Sequence, residues 1–198
     1  MIKIGIIAEG RPDQAVIENI IHYYFKGKEY EVILLRPDLS VDATDKALQS
    51  SAAAGGLARV KKDCEEGILL DKFFATDFED KNQLIIQLDT AEIEEYEIIR
   101  PNKTEANYCS ALRDNVIQKI TIDWLQEKYS EQLIFAISIE ELEAWLLTLY
   151  ENKDSINSIN PKKKLKKLLH KNNLNSKEGY DNYASLSRAF KKKKIHEN

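Results

Sequence analysis

Three carboxylates stand where an α/β protein would place its chemistry. Glu9 follows the apolar run Ile2-Lys3-Ile4-Gly5-Ile6-Ile7-Ala8 and is followed by Gly10. Asp89 follows Leu84-Ile85-Ile86-Gln87-Leu88, and Glu143 lies in Glu140-Glu141-Leu142-Glu143, just after Leu133-Ile134-Phe135-Ala136-Ile137. Hard cations such as Mg²⁺ take oxygen ligands, and one or two of them activate water and steady the leaving oxygen in phosphoester hydrolysis. Carboxylates at separate strand ends can share such a cation only if the strand order brings them to one point. Each acid also has a plainer role. Glu9 lies near a helix start, Asp89 suits a turn, and acids crowd at helix N-termini as Glu140, Glu141 and Glu143 do.

The elements that must position them follow from pattern. The three apolar runs alternate little and read as strands buried on both faces, as in a parallel sheet. Such strands open their carboxyl ends onto the crevice where ligands bind. Arg11-Pro12-Asp13 starts a helix, with proline at the first position and the acid at the positive end of the macrodipole. Val16, Ile20, Tyr23 and Tyr24 share a face of it, and Gly27 ends it. Residues 31–35 form a strand stopped by Pro37, and residues 38–56 read as a loop. Residues 57–74 are helical in character, with Leu57, Val60, Cys64, Ile68 and Leu69 inward. Residues 92–102 form a loop or short helix, and residues 104–129 a long helix with a stripe through Leu112 and Val116. Residues 139–150 form a helix that buries Ile139, Leu142, Trp145, Leu146 and Leu149, with Glu143 on a neighbouring face.

Alternating strands and helices predict a mostly parallel α/β sheet with right-handed crossovers, flanked by helices. Residues 1–152 read as one domain, and residues 153–198 as a short basic helical extension packed on or beside it. Pro161–Lys171 makes an amphipathic helix with Leu165, Leu168 and Leu169 inward, and residues 180–190 a second.

The net charge of −4 hides an asymmetry: from Pro161 onward 12 basic and 3 acidic residues give +9, leaving −13 for the rest. An acidic body with a basic tail suits a protein that holds cations in one place and polyanions in another. Lys163, Lys164, Lys167 and Arg188 are the candidate nucleic-acid contacts; a solvated surface helix is the plainer reading. Cys64 and Cys109 lack metal-ligand spacing and cannot form a disulfide framework, which favours a reduced, cytoplasmic setting. No apolar run reaches the roughly 20 residues of a membrane span, and the N-terminus reads as a strand rather than a signal peptide. There is no P-loop, dinucleotide fingerprint or nucleophile elbow, and His22, His170 and His196 are scattered. Carboxylate plus metal is the remaining chemistry.

Glu9-Gly10 after the first strand, Asp89 after a later one and Leu142-Glu143-Ala144-Trp145-Leu146-Leu147 after the last resemble the TOPRIM fold. More narrowly, the chain resembles the small TOPRIM-like proteins of bacterial anti-phage defence operons, related to OLD-family nucleases and often encoded beside an ATPase. Asn160-Pro161-Lys162-Lys163-Lys164-Leu165 and Ser187-Arg188-Ala189-Phe190 extend the likeness over most of the chain. The resemblance implies Mg²⁺- or Mn²⁺-dependent cleavage of DNA or RNA. Glu9 would be a ligand or general acid/base, Asp89 a ligand, and Glu143 a ligand or the orienter of one. It also implies an ABC/SMC-type ATPase partner, and a second copy of the chain is a further candidate partner.

One departure matters. TOPRIM proteins carry Asp-x-Asp where this chain reads Asp89-Thr90-Ala91, and alanine binds no metal. Either the chain is a natural degenerate copy or the alanine is an introduced change that silences it. Glu92 could substitute, but it faces away if the strand continues. A non-catalytic docking module of the partner ATPase is the rival reading.

Overall fold

A computed structural model of the protein describes residues 1–37, 56–75, 81–151 and 160–191. Four parallel strands form one sheet: β1 (Ile2–Ile7), β2 (Tyr30–Arg36), β3 (Lys81–Asp89) and β4 (Leu133–Ser138), in the order β2-β1-β3-β4. The α-helices described are α1 (Arg11–Tyr24), α2 (Gly56–Glu66), α3 (Ile68–Phe74), α4 (Tyr108–Gln118), α5 (Glu143–Tyr150), α6 (Pro161–Lys171) and α7 (Tyr180–Ser187). The fold is a Rossmann-like α/β arrangement with helices on both faces of the sheet.

Because strands β1 and β3 are buried on both sides, their residues feed two cores. Ile4, Ile6, Ala8 and Ile85 pack with α1, α5, α6 and α7. Ile7, Leu84, Ile86 and Leu88 pack with α2, α3 and α4. The chain moves from β1 outward to β2, then crosses to the other side of β1 to build β3 and β4. Strand order therefore reverses between β1 and β3, and the crevice at their carboxyl ends is the topological switch point. Gly5 sits mid-strand because a Cβ there would come within 2.8 Å of Leu35 and 2.9 Å of Phe73.

Several local expectations shift. The helix read over 57–74 is two, broken at Gly67, whose φ of +66° a glycine adopts without strain. That break turns Ile68 outward to 72% exposure and brings Leu70 and Phe73 inward in its place. The long helix over 104–129 is α4 followed by a π-helical turn at Lys119–Trp124; its buried stripe runs Leu112, Val116, Ile120, Trp124. In α1, Ala15, Val16, Ile17, Asn19 and Ile21 are buried while Tyr24 is exposed, because α1 lies between the sheet and α7. The last helix of the sheet begins at Glu143 rather than Ile139, since Glu140 takes a left-handed conformation (φ 65°) that interrupts it. Of the loop read over 38–56, only Gly56 lies among the described residues, and it opens α2.

The extension is built into the second core: Leu165, Leu169, Tyr183 and Leu186 pack in the same cluster as Ile4 and Ile6. Buried Asn19 on α1 latches α7, donating to the Ala184 carbonyl at 2.8 Å and to Ser187 Oγ at 2.7 Å. Asn19→Ala leaves both acceptors without that donor, a loss of about 1–3 kcal/mol. The expected result is a lower urea midpoint with an unchanged slope.

Candidate functional site

Glu9 is the second residue past β1, and Asp89 is the last of β3. A ring of hydrogen bonds clips them together. The Glu9 N–H donates to Gln87 Oε1 (3.2 Å), Gln87 Nε2 to Asp89 Oδ1 (2.9 Å), and the Asp89 N–H to Glu9 Oε1 (2.6 Å). Gln87 is wholly buried on β3, so its amide serves as an internal strut. Glu143, first residue of α5, is buried with its Oε1 accepting a hydrogen bond from the Tyr183 hydroxyl at 2.6 Å.

The acids Glu9, Asp89 and Glu143 line one pocket of about 280 Å³, together with Gly10, Pro12, Asp13, Gly56, Glu141, Lys162, Glu178 and Tyr183. The structure thus brings together the three acids singled out in the sequence, although they come from the loop after β1, the end of β3 and the start of α5. It adds a fourth, Asp13, which sequence pattern assigns to the helix dipole. The available signal is its place: an acid in the first turn of a helix that directly follows a strand-end acid faces the same crevice. Nothing in the sequence announces Tyr183 or Glu178, which arrive from the extension. In the sequence Lys162 is one lysine in a run; its place in the first turn of α6 sets it at the pocket.

Burial and mutual repulsion govern the electrostatics. Desolvation pushes Glu9 up to about 7, offset in part by the Asp89 N–H and reinforced by the charges of Asp13 and Glu92. Asp13 is likewise raised to about 7 by burial and then by Glu143. Asp89 is held well above the usual carboxylate range by burial, Asp13, Glu9 and Glu143. Burial raises Glu143 too, while the Tyr183 hydrogen bond opposes the shift. Four helices begin at the pocket: α1 next to Gly10, α2 at Gly56, α5 at Glu143 and α6 next to Lys162. Their N-terminal partial charges favour anions there. Gly56 packs so tightly on Glu9 that a Cβ would lie 2.5 Å from the Glu9 carbonyl oxygen. Lys162 brings a positive charge, paired with Glu178 at 2.9 Å.

Ala91 lies in the exposed turn after β3 and is not among the residues lining the pocket. Arg100 fixes that turn, donating to the carbonyls of Thr90 and Ala91 and to Glu94 and Tyr108. The strand ends at Asp89, so the alternation on which Glu92 would face away does not extend to it. Glu92 is exposed in the turn, does not line the pocket, and adds a minor charge contribution at Glu9. Lys163, Lys164 and Lys167 are exposed on α6, and Arg188 is exposed just beyond α7; none of them lines the pocket.

All-oxygen donors with unrelieved repulsion match what a hard divalent cation requires. Yet among the described residues no three His, Cys, Asp or Glu side chains are grouped closely enough to hold an ion as they stand. The donor set is of the right chemistry for such an ion, but its side chains are not gathered around one point. No known family model matches the chain, and neither does any curated protein or solved structure.

Because Glu9 and Asp13 have raised pKa values, the folded chain binds more protons than the unfolded one between the ordinary carboxylate range and about pH 7. The stability these two groups contribute is therefore full below that window and is lost as pH rises through about 7. For Glu9 alone the loss is at most about 3 kcal/mol. Thermal melts of metal-free protein at pH 5 and pH 8 should show a lower Tm at pH 8, and Glu9→Gln should narrow the difference.

Proposed function

We propose that this chain is a TOPRIM-type nuclease that hydrolyses phosphodiester bonds in DNA or RNA with Mg²⁺ or Mn²⁺, weakened by Ala91. The observation that carries the reading is the meeting of Glu9, Asp13, Asp89 and Glu143 in one pocket at the switch point of the sheet. Glu9, Asp13 and Asp89 would hold the cation, with Glu143 as a further ligand or an orienter. The cation, when bound, supplies Lewis-acid activation of water and stabilises charge on the leaving oxygen. Alternatively, a Glu9 left off the cation would serve as general acid/base, taking a proton from the attacking water or returning one to the leaving hydroxyl. Burial raises its carboxyl to about 7 in the ion-free pocket. The Gln87 strut keeps Glu9 and Asp89 in register for this, and Tyr183 holds Glu143.

The basic face of α6 supports a polyanion as substrate. Lys163, Lys164 and Lys167 project from a helix whose first turn, at Lys162, lines the pocket. No ion pair engages these three lysines among the described residues. Arg188 is a further contact on this reading. In its setting the protein would be a cytoplasmic effector of an anti-phage defence system, working with an ABC/SMC-type ATPase and able to self-associate. Among the described residues no helix is long and apolar enough to cross a membrane.

The second reading, a docking or regulatory module of the ATPase, is favoured by Ala91 and by the ungathered ligands. A cleavage assay with Mg²⁺ or Mn²⁺ separates the two. Ala91→Asp is expected to raise cleavage by at least tenfold, chelator should abolish it, and Glu9→Ala in that background should remove it. Equal rates with and without the Glu9 change, or no cleavage under either ion, would leave the docking reading standing. Separately, replacing Lys163, Lys164 and Lys167 with alanine should weaken binding to all sequences alike. The slope of log K against log salt should fall by about 0.7–0.9 for each phosphate no longer neutralised.

A further inference from the structure

Tyr183 does something the sequence gives no reason to expect. It lies near the end of a 198-residue chain, in the basic extension, yet its hydroxyl ends inside the acidic pocket. The hydrogen bond is short, 2.6 Å to Glu143 Oε1, and both partners are buried, Tyr183 at 4% and Glu143 at 7% exposure. This length lies at the short end of the range for a hydroxyl–oxygen hydrogen bond, about 2.5–3.0 Å. The ring packs in the core with Leu142, Leu146 and Leu186.

The helix that carries it is tied down at several points. Asn19 holds the Ala184 carbonyl and Ser187 Oγ, and Ser187 Oγ donates back to the Tyr183 carbonyl at 2.7 Å. The Tyr150 hydroxyl donates to the Leu186 carbonyl at 2.8 Å, and Tyr180 bonds Glu18. Two of these anchors, Glu18 and Asn19, belong to α1, whose first turn carries Asp13. The helix that carries the donor to Glu143 and the helix that presents Asp13 are thus joined by direct hydrogen bonds. Glu143 needs such a tether, being at the first position of a short helix with Asp13 and Asp89 within electrostatic reach.

We propose that Tyr183 is a positioning residue of the acidic pocket, aiming the Glu143 carboxylate, so that the C-terminal extension is an integral wall of the site as well as a basic surface. This rests on the reading of the pocket as a cation site. Partners of a ligating carboxylate commonly matter about 10–100-fold in metal affinity.

The test is Mn²⁺ binding, followed by the electron paramagnetic resonance signal of free Mn²⁺, on the full chain and on the Ala91→Asp form. Tyr183→Phe should weaken Mn²⁺ binding by about tenfold or more. Added to Glu143→Gln it should cost nothing further, because it acts through that carboxylate. Leu186→Ala, which loosens α7 without touching the hydroxyl, should lower Tm comparably and leave the Mn²⁺ affinity in place. Unchanged affinity in Tyr183→Phe, or equal weakening by Leu186→Ala, overturns the positioning role while the cation site stands. Absence of Mn²⁺ binding in both parent forms overturns the cation site and this role with it.

Discussion

Like charges held close in a partly buried place are the constraint the molecule is built to satisfy. Burial raises the proton affinity of Glu9, Asp13, Asp89 and Glu143, and for the first three the neighbouring carboxylates of the group raise it further. Left to themselves such groups would protonate or swing toward solvent. The fold answers with four helix N-termini, a buried glutamine, a tyrosine hydroxyl and one lysine, all drawn to the same rim. None of these neutralises the cluster; they lower its cost enough for it to persist. On the proposed reading, a cation would relieve the repulsion that these contacts leave in place.

The sheet order makes this possible. With β1 and β3 adjacent and the chain winding away from them in both directions, their carboxyl ends are flanked by loops that diverge. The opening left between them is bounded on one side by α1 and α5 and on the other by α2. The extension closes the remaining side, with Lys162, Glu178 and Tyr183. The first turn of α6 therefore reaches the pocket at Lys162, while Lys163, Lys164 and Lys167 lie exposed outside it.

What pattern can reveal, and what it cannot, divides along physical lines. The strands are readable because burial on both faces demands unbroken apolar runs, and Glu9 and Asp89 are readable because each interrupts such a run. Glu143 is visible as an acid, but its direction is not. The start of its helix depends on Glu140 in a left-handed turn, held where the Thr90 hydroxyl accepts from the Glu140 N–H at 2.7 Å. Asp13 reads as a dipole partner, since that role and a place in the pocket both put an acid in a first turn. Ile68 reads as buried because helical periodicity presumes an unbroken helix, and Gly67 interrupts it. Tyr183 is out of reach for a different reason: its role comes from α7 docking on α1, an interaction between residues more than 160 apart in sequence.

The three-membered circuit through Glu9, Gln87 and Asp89 has a direction: every donor passes to the next residue's oxygen, and the last returns to the first. A cycle of that kind leaves the amide only one orientation, since turning it end for end sets oxygen against oxygen at Asp89 and nitrogen against nitrogen at Glu9. The two strand tips are thereby keyed to each other, and a disturbance felt at either is handed to its neighbour through a side chain that solvent never reaches.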